Sequence, residues 1–535
     1  MSSRTTDAIN EPSYGRRVLS WSFYDWADHA YITTTATTFF PPYYLAIAAP
    51  AFVRPSTGVI DEAARALARN TASSVFAFTV SCALFIAAIL APVIGAYADI
   101  TDQRKRILIR ITIAGAVLAS SMFFLTAGMW IEALLLYFLT QVLVNVALGL
   151  NSSLLPHIAH PEDMNRVSSL GYAMGYVGGG LLLALNTAVF LLSGTFGMSA
   201  DLAVRTAFLS VGIWWITFML PLAINVPEPR IQSLNGTRSV TPLRGALVQI
   251  RNTFRDIRRY RELFKMLIAF WFYMEGVGAI ILLATAYGAA LGLDMPVLIG
   301  TLLMTQMVAF PYAMMYGRIP DASCRLRSAY LSMVLWTAAT LPWVGLYART
   351  KAALSVRNAL GMLAADQIAG IIFTLCLGRF LFAGMTKRID TKHAVLLGLL
   401  IYIIVPCWGY YLTTKAEFFM IGWLVGTVQG GTQALSRTIY ARLSPPSKSG
   451  EFFGFYGFSE KFAGILGPLL YGAVGLITRS PRSSILSIAV FFIIGIILLW
   501  RVDMVKGEKV AVEEERAVQE AIGRRASPGD RSRQG

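Results

Sequence analysis

The chain has 535 residues, of which 56% are hydrophobic and only 14% are charged, and its formal net charge is +16. Its mean hydropathy of +0.58 lies well above that of ordinary soluble domains. This composition argues against a soluble enzyme or binding protein and predicts an all-α polytopic membrane protein.

The positive charge is concentrated in short segments between apolar stretches. Basic residues cluster at 101–106, 251–265, 324–327 and 385–392. The positive-inside rule places such loops in the cytoplasm, where anionic lipid attracts them. No nucleic-acid recognition motif accompanies these residues, so we expect no nucleic-acid partner.

The four cysteines show no spacing typical of a metal site or of a disulfide framework. We therefore expect neither a bound metal nor a cofactor, and reduced cysteines that serve only in packing.

Apolar stretches of about 20 residues are long enough to cross a bilayer as helices. Fourteen are found, at 18–40, 72–98, 107–128, 131–153, 167–192, 203–226, 264–289, 294–316, 328–347, 358–384, 393–413, 416–440, 453–477 and 483–502. An even number returns both termini to the cytoplasm. Segment 348–358 is the exception, because it would carry three positive charges outside. The alternative is twelve helices, with 328–384 folded differently.

Two similar halves flank an arginine-rich segment. WSFYD at 21–25 aligns with WFYME at 271–275, and SLGYAMGYVGGG at 169–180 aligns with FYGFSEKFAGIL at 455–466. The offset changes from 250 to 286 between the two alignments, which indicates an inserted helix pair within 320–390. We therefore divide the chain into a cytoplasmic segment 1–17, a six-helix half 18–226, a basic linker 227–263, a second half 264–502 and a cytoplasmic tail 503–535.

Several motifs are more specific. YDWADHAY, NSSLLPHIAHPEDMNRVSSLGYAMGYVGGG, QMVAFPYAMMYGRIPD, VGTVQGGTQALSR and GEFFGFYGFSEKFAGILGPLLYG occur in chain order. Together they resemble the major facilitator superfamily and, within it, the family of bacterial proteins and fungal autophagy-related vacuole effluxers. The resemblance implies a monomeric secondary transporter that works by alternating access and exports small metabolites, which in the fungal members are amino acids from the vacuole.

Ionisable residues inside predicted spans are the leading site candidates, because a charge at mid-bilayer costs about 2.5–3.5 kcal/mol on insertion scales. Asp25, Asp28 and His29 share one helix face at i, i+3 and i+4, and the repeat aligns Glu275 with Asp25. These groups, with Lys461 on the second-half motif, are candidates to bind substrate or protons. The structural alternative is that the two aspartates solvate the cytoplasmic end of the first helix.

Amide side chains form a second set of candidates. Gln429 and Gln433 repeat at i and i+4, and Asn145 belongs to a matching stripe in the first half. They would line a polar path, although interhelical hydrogen bonds explain them equally well. The glycines of GYAMGYVGGG indicate close helix packing rather than nucleotide binding, since no strand or GKS sequence accompanies them.

Two short segments resemble the superfamily loop that latches the halves together. The first contains Gly95, Asp99, Arg104 and Arg106, and the second contains Gly317 and Asp321. The alternative is a solvated positive-inside loop.

Other functions compete with export. Proton-coupled uptake of a small polar or anionic solute is the competitor within transport, because sequence does not determine direction. A transport-inactive receptor or scaffold and a membrane-embedded enzyme are the other classes, and the chain shows neither a long soluble domain nor a catalytic loop. We expect a prokaryotic inner membrane, with a fungal vacuole membrane as the alternative.

Overall fold

The computed structural model describes residues 12–53, 62–101, 103–160, 164–228, 260–317, 324–350, 356–386, 389–445, 456, 459 and 463–526. Every regular element in these ranges is helical, which confirms the predicted all-α class.

The first half contains helices α1 to α6. Helix α1 begins as Pro12–Ala30, continues through the π-helical stretch Tyr31–Phe39 and returns to α-helix at Phe40–Ala48. The helices that follow are α2 (Glu62–Thr101), α3 (Arg104–Ser121), α4 (Trp130–Ile158), α5 (Met164–Leu191) and α6 (Ala200–Asn225).

The second half contains helices α7 to α14, and a tail helix follows them. They are α7 (Arg261–Ala290), α8 (Met295–Gly317), α9 (Cys324–Thr350), α10 (Val356–Phe373, extended through Thr374–Gly378 to Leu381), α11 (Thr391–Tyr411), α12 (Lys415–Leu443), α13 (Leu466–Thr478), α14 (Pro481–Ser487 and Ala489–Trp500) and α15 (Met504–Ala526).

Eleven of these helices are long and apolar enough to cross a membrane. Helices α1, α12 and α13 are not among them: α1 changes to π-helix, α12 carries the polar stripe, and α13 has only 13 residues. The count of fourteen crossings therefore stays a prediction.

Several boundaries differ from those expected. Helix α2 has 40 residues, so at 1.5 Å per residue it is longer than the bilayer core needs. Gly95 and Asp99 consequently lie in the helix rather than in a loop. Helix α1 begins before residue 18 and continues past residue 40, because its threonine-rich centre stays helical in π geometry.

Corresponding helices pack in the same way in the two halves. Helix α1 packs against α5 and α6, α2 against α4, and α3 against α4 and α6. In the second half α7 packs against α13 and α14, α8 against α12, and α11 against α12 and α14. The pairs match when α9 and α10 are left out, which is the pattern that a parallel repeat with an inserted pair requires.

Helix α9 is attached to α12 by a buried carboxylate. Arg349 Nη2 at the end of α9 donates to Glu417 Oε1 at 2.7 Å, and the Glu417 side chain is only 1% exposed. Glu417 also forms a capping box with Thr414 at the start of α12. The charge of Arg349, which lies in the segment 348–358, is therefore neutralised by Glu417. Arg349 thus argues little against an external position of that segment.

Glu417→Gln should destabilise the protein, because it leaves the Arg349 guanidinium beside a neutral amide and weakens the cap. We expect a loss of about 1–3 kcal/mol, measured as a lower thermal midpoint of the detergent-solubilised protein. The control is Asp201→Asn, which breaks the half-exposed Asp201–Arg205 pair and should cost less than about 1 kcal/mol. Equal thermal midpoints for the two variants would contradict the role of Glu417 as the buried partner of Arg349.

Candidate functional site

Asp25 lies where α1 meets α4 and α5. Asn151 Nδ2 on α4 donates to Asp25 Oδ1 at 2.8 Å, and Trp21 Nε1 donates to the backbone oxygen of Asn151 at 3.1 Å. Gly171 of α5 closes the other side, since a Cβ atom there would overlap Asp25 Oδ2. The carboxylate is thus held by an amide and enclosed by a glycine.

Asp28 and His29 form an adjacent pair on the same helix. Asp28 is fully buried, and His29 Nδ1 lies 2.8 Å from Asp28 Oδ1. The imidazole packs against Gly175 and lies 6.1 Å from the Tyr176 ring. Because the pair is an ion pair only when the imidazole is protonated, one proton changes its net charge from −1 to neutral.

The glycines of α5 allow this enclosure. A Cβ atom at Gly175 would lie 2.7 Å from the His29 ring, and one at Gly179 would lie 2.9 Å from the His29 backbone oxygen. Thr33 Oγ1 also donates to Gly179 O across the contact at 3.1 Å. The glycine run therefore serves helix packing, as the sequence predicted.

Glu275 on α7 has different surroundings from Asp25. It is 1% exposed, and Gly467 N donates to Glu275 Oε2 at 2.9 Å. The carboxylate thus lies at the amino end of α13, where unpaired backbone amides favour a negative charge. The alignment of Glu275 with Asp25 holds in sequence, but the partners of the two carboxylates differ.

The amide candidates are not brought together. Gln429 lines a cavity of about 80 Å³, together with Gln306 and Thr305 of α8 and Thr37 of α1. Gln433 is partly buried on α12, and Asn145 Nδ2 donates to the backbone oxygen of Gln141 at 2.8 Å within α4. The contact described for Asn145 is therefore intrahelical.

Among the gating candidates, Arg104 contacts the first half and Arg106 contacts the beginning of the predicted linker. Arg104 Nη1 donates to Ser153 O at 2.7 Å, and the backbone amide of Arg106 donates to Glu228 Oε2 at 3.2 Å. Gly95 and Asp99 lie in α2, and Gly317 ends α8. Asp321 and Lys461 lie outside the described residues.

The structure adds residues that the sequence analysis missed. Asn151 is one, although an amide side chain inside an apolar span is itself a signal of a polar contact. Gln367 on α10 is another: it accepts from Tyr312 OH at 2.7 Å and donates to Asp366 Oδ2 at 2.9 Å. The dipeptide Asp366-Gln367 inside an apolar stretch was the available signal.

The two halves are joined at the end of the bundle where α1 finishes and α2 begins, which we call the distal end. Among the described residues, four hydrogen bonds cross the interface, from this end to the middle of α2: Asn70 Nδ2 to Gly475 O, Ser81 Oγ to Ile465 O and Thr285 Oγ1 to Thr37 O, and one between the hydroxyls of Ser73 and Tyr471. Helices α2 and α13 approach closely at this end.

A larger open cleft of about 580 Å³ also lies at the distal end, between α1, α6 and the turn before α4. Its lining is mainly apolar, and Asp201 in it pairs with Arg205 at 2.7 Å. It lies away from Asp25 and Asp28, so we do not place the substrate site there.

Comparison with known proteins identifies the family. A family model described as vacuole effluxer Atg22 like matches residues 15–354 and 341–512. The chain belongs to this family. Among its relatives is the uncharacterized MFS-type transporter YxiO of Bacillus subtilis, 28% identical over 489 residues that cover 90% of this chain and 93% of YxiO.

Fungal members of the Atg22-like family are more distant. Autophagy-related protein 22-2 of Neosartorya fischeri is 24% identical over 391 residues, which cover 68% of this chain but only 53% of the fungal protein. The chain thus matches about half the length of that relative.

The fold is that of the major facilitator superfamily. A D-xylose–proton symporter matches with a TM-score of 0.54 at 12% identity, covering 92% of this chain and 98% of the symporter. Together with the family, this fold makes the protein an integral membrane transporter of the major facilitator type.

Gly175→Ala should impair both stability and transport, because the added methyl would meet the His29 ring. Overpacking of this kind costs about 1–3 kcal/mol. Gly180→Ala is the matched control on the same helix: nothing lies within 4 Å of its Cβ position, and alanine favours helix over glycine. Thermal midpoints and transport in proteoliposomes would test the pair, and equal behaviour would contradict the proposed close contact.

Proposed function

We propose that this Atg22-like protein is a secondary active transporter that works by alternating access and exports small metabolites such as amino acids. Asp25 and the Asp28–His29 pair would bind substrate and proton. The observation that carries the proposal is the enclosure of these three ionisable groups where α1 meets α4 and α5. The family resemblance to fungal amino-acid effluxers supports the substrate class.

The chemistry of the cluster suits an ammonium group and a proton. Buried carboxylates need a cationic partner or a proton, because burying an unpaired charge is costly. Asp25 has one oxygen held by Asn151, and Asp28 is engaged with His29. A substrate ammonium would supply the cation for Asp25, while Asp28 and His29 exchange the coupled proton. Lys461 is our candidate for the substrate carboxylate.

The distal interface supports alternating access. Three of its four hydrogen bonds run between α2 and α13, and a hydrogen bond that exchanges its partner for water contributes only about 0.5–1.5 kcal/mol net. Such an interface can open without a large loss of free energy. Glu275, which accepts from the first turn of α13, would move with that helix.

The domain arrangement forms part of the proposal. We assign α9 and α10 as the inserted pair, segment 227–263 as the linker between halves, and both termini to the cytoplasm of a prokaryotic inner membrane. The segment around Asp99 and Arg104 and its counterpart around Gly317 and Asp321 would latch the halves at the opposite end. The protein would act as a monomer without a cofactor.

Counterflow in proteoliposomes tests the function directly. Liposomes loaded with pooled amino acids should take up one labelled amino acid, and a pH gradient should drive net flux whose direction tells export from uptake. Asp25→Asn should abolish the flux, since the amide cannot neutralise an ammonium group. The control is Asp201→Asn, which changes an acid remote from the cluster.

Two outcomes would contradict the proposal. Folded wild-type protein that exchanges no amino acid would refute the substrate class. Undiminished, equally pH-dependent transport in Asp25→Asn would remove Asp25 from the site.

A disulfide across the distal interface should block transport. Ser74 of α2 lies against Gly475 of α13, close enough for a cysteine pair to bond. In a variant lacking native cysteines, oxidised Ser74→Cys/Gly475→Cys should be inactive and should recover when reduced. Each single cysteine variant is the control. Full transport by the cross-linked protein would contradict opening at this interface.

A further inference from the structure

Five buried side chains on α1 and α4 hold polar atoms without a hydrogen-bond partner among the described residues. We call this group the α1–α4 seam; its atoms are Tyr31 OH, Thr35 Oγ1, Tyr137 OH, Gln141 Oε1 and Asn151 Oδ1. Each of these residues is at most 6% exposed. So many unpaired atoms in one place are unusual, because buried polar groups are nearly always hydrogen-bonded.

The seam runs along α1 from the acidic cluster toward the distal end. Tyr137, Gln141 and Asn151 lie on one face of α4, by their spacing of four and ten residues. Asn151 contacts α1 at Asp25, while the Tyr137 ring stacks on Phe40 at 4.6 Å. The α4 members therefore extend from the level of Asp25 to that of Phe40.

On α1, Tyr31 and Thr35 belong to the π-helical stretch, and the Tyr31 and Tyr137 hydroxyls are close enough to interact electrostatically. Such π-helical segments are frequent at functional sites. The rings of Phe40 and Phe76 pack on Tyr137 at the distal end of the seam.

Packing does not require these polar groups. At the repeat offset of 250, Tyr31 corresponds to Ile281, and placing Gln141 on Gln429 sets Tyr137 on Val425 and Asn151 on Ile439. The second half thus packs its equivalent helices with apolar side chains at three of the five positions, whereas Gln141 corresponds to another amide and Thr35 to Thr285. Each unpaired atom would cost about 1–3 kcal/mol if the seam were dry.

We propose that the α1–α4 seam holds a chain of ordered water that conducts protons between the distal end and the cluster of Asp25, Asp28 and His29. Hydroxyls both donate and accept, so they suit a chain in which each water has two to four partners.

The proton role of the seam rests on the proposed function, whereas the presence of water does not. Several titratable groups face the seam and the cluster of Asp25, Asp28 and His29. Besides the cluster residues themselves, they are Tyr24 and Tyr31 of α1 and Tyr137 of α4. From α5 the facing titratable group is Tyr176, whose ring lies 6.1 Å from that of His29, whereas Phe76 of α2 and Trp215 of α6, which pack on Tyr137 and Tyr31, are not titratable.

Radiolytic hydroxyl-radical footprinting, read by mass spectrometry, tests for the water without any substrate. The method modifies side chains that lie beside bound water. Tyr31 and Tyr137 should be oxidised faster than Tyr273, a matched control that is fully buried but donates to Ser436 Oγ at 2.6 Å. Equal rates for the three tyrosines would show a dry seam and overturn the proposal.

Removal of single hydroxyls tests the proton path. Tyr31→Phe and Tyr137→Phe should keep counterflow, which needs no net proton movement, but lose flux driven by a pH gradient. Tyr273→Phe should keep both. A dry seam predicts the opposite, namely unchanged pH-driven flux and an equal or higher thermal midpoint, because an unpaired hydroxyl has been removed.

The proton path through the seam and the proposed transport function can be refuted independently of each other. A wild type that shows counterflow and pH-driven flux, both unaffected in the two phenylalanine variants, refutes the proton path alone. A wild type without counterflow refutes the proposed function, and the footprinting result then decides whether the seam is hydrated.

Discussion

The close approach of α5 to α1 is the contact on which the arrangement of the first half depends. Glycines 171, 175 and 179 present bare backbone to α1, so the helices meet directly over Asp25 and His29. This contact keeps the ionisable groups away from lipid, where their charge would be costly. It also leaves them little freedom to move, which is the preorganisation that a binding site needs. Any side chain on those glycines would separate the helices and expose the cluster.

The two halves share a packing plan but divide the chemistry unequally. In the first half, α1 contacts α4 through the hydrogen bond between Asp25 and Asn151. Several hydroxyls of the two helices have no hydrogen-bond partner among the described residues. In the second half, Tyr273 of α7 is paired with Ser436 of α12. Glu275 is directed to the start of α13 instead of to α12. Corresponding helices thus pack alike in the two halves, while their ionisable groups have different partners.

The distal interface and helices α9 and α10 show two kinds of attachment. Side-chain hydrogen bonds and glycine contacts hold α2 against α13, and such contacts can exchange with water. Helices α9 and α10 are held through the buried Glu417 and through Gln367, which accepts from Tyr312 of α8. We infer that α9 and α10 move together with the second half. Their attachment to α8 and α12 would stiffen that half without closing the transport path.

The sequence by itself determined the all-α class and the packing role of the glycines, because hydropathy, periodicity and residue size act locally along the chain. The fourteen crossings and the duplicated halves stay predictions. The sequence also identified Asp25, Asp28 and His29 as neighbours, since residues three and four apart share a helix face. Only the tertiary structure decided their partners: Asn151 is 126 residues from Asp25, and Glu275 meets the start of a helix almost 200 residues later. The sequence did not predict the π-helical stretch of α1 or the full length of α2. Both depend on packing against neighbouring helices, which overrides the local propensity to end the helix or to form a tighter turn.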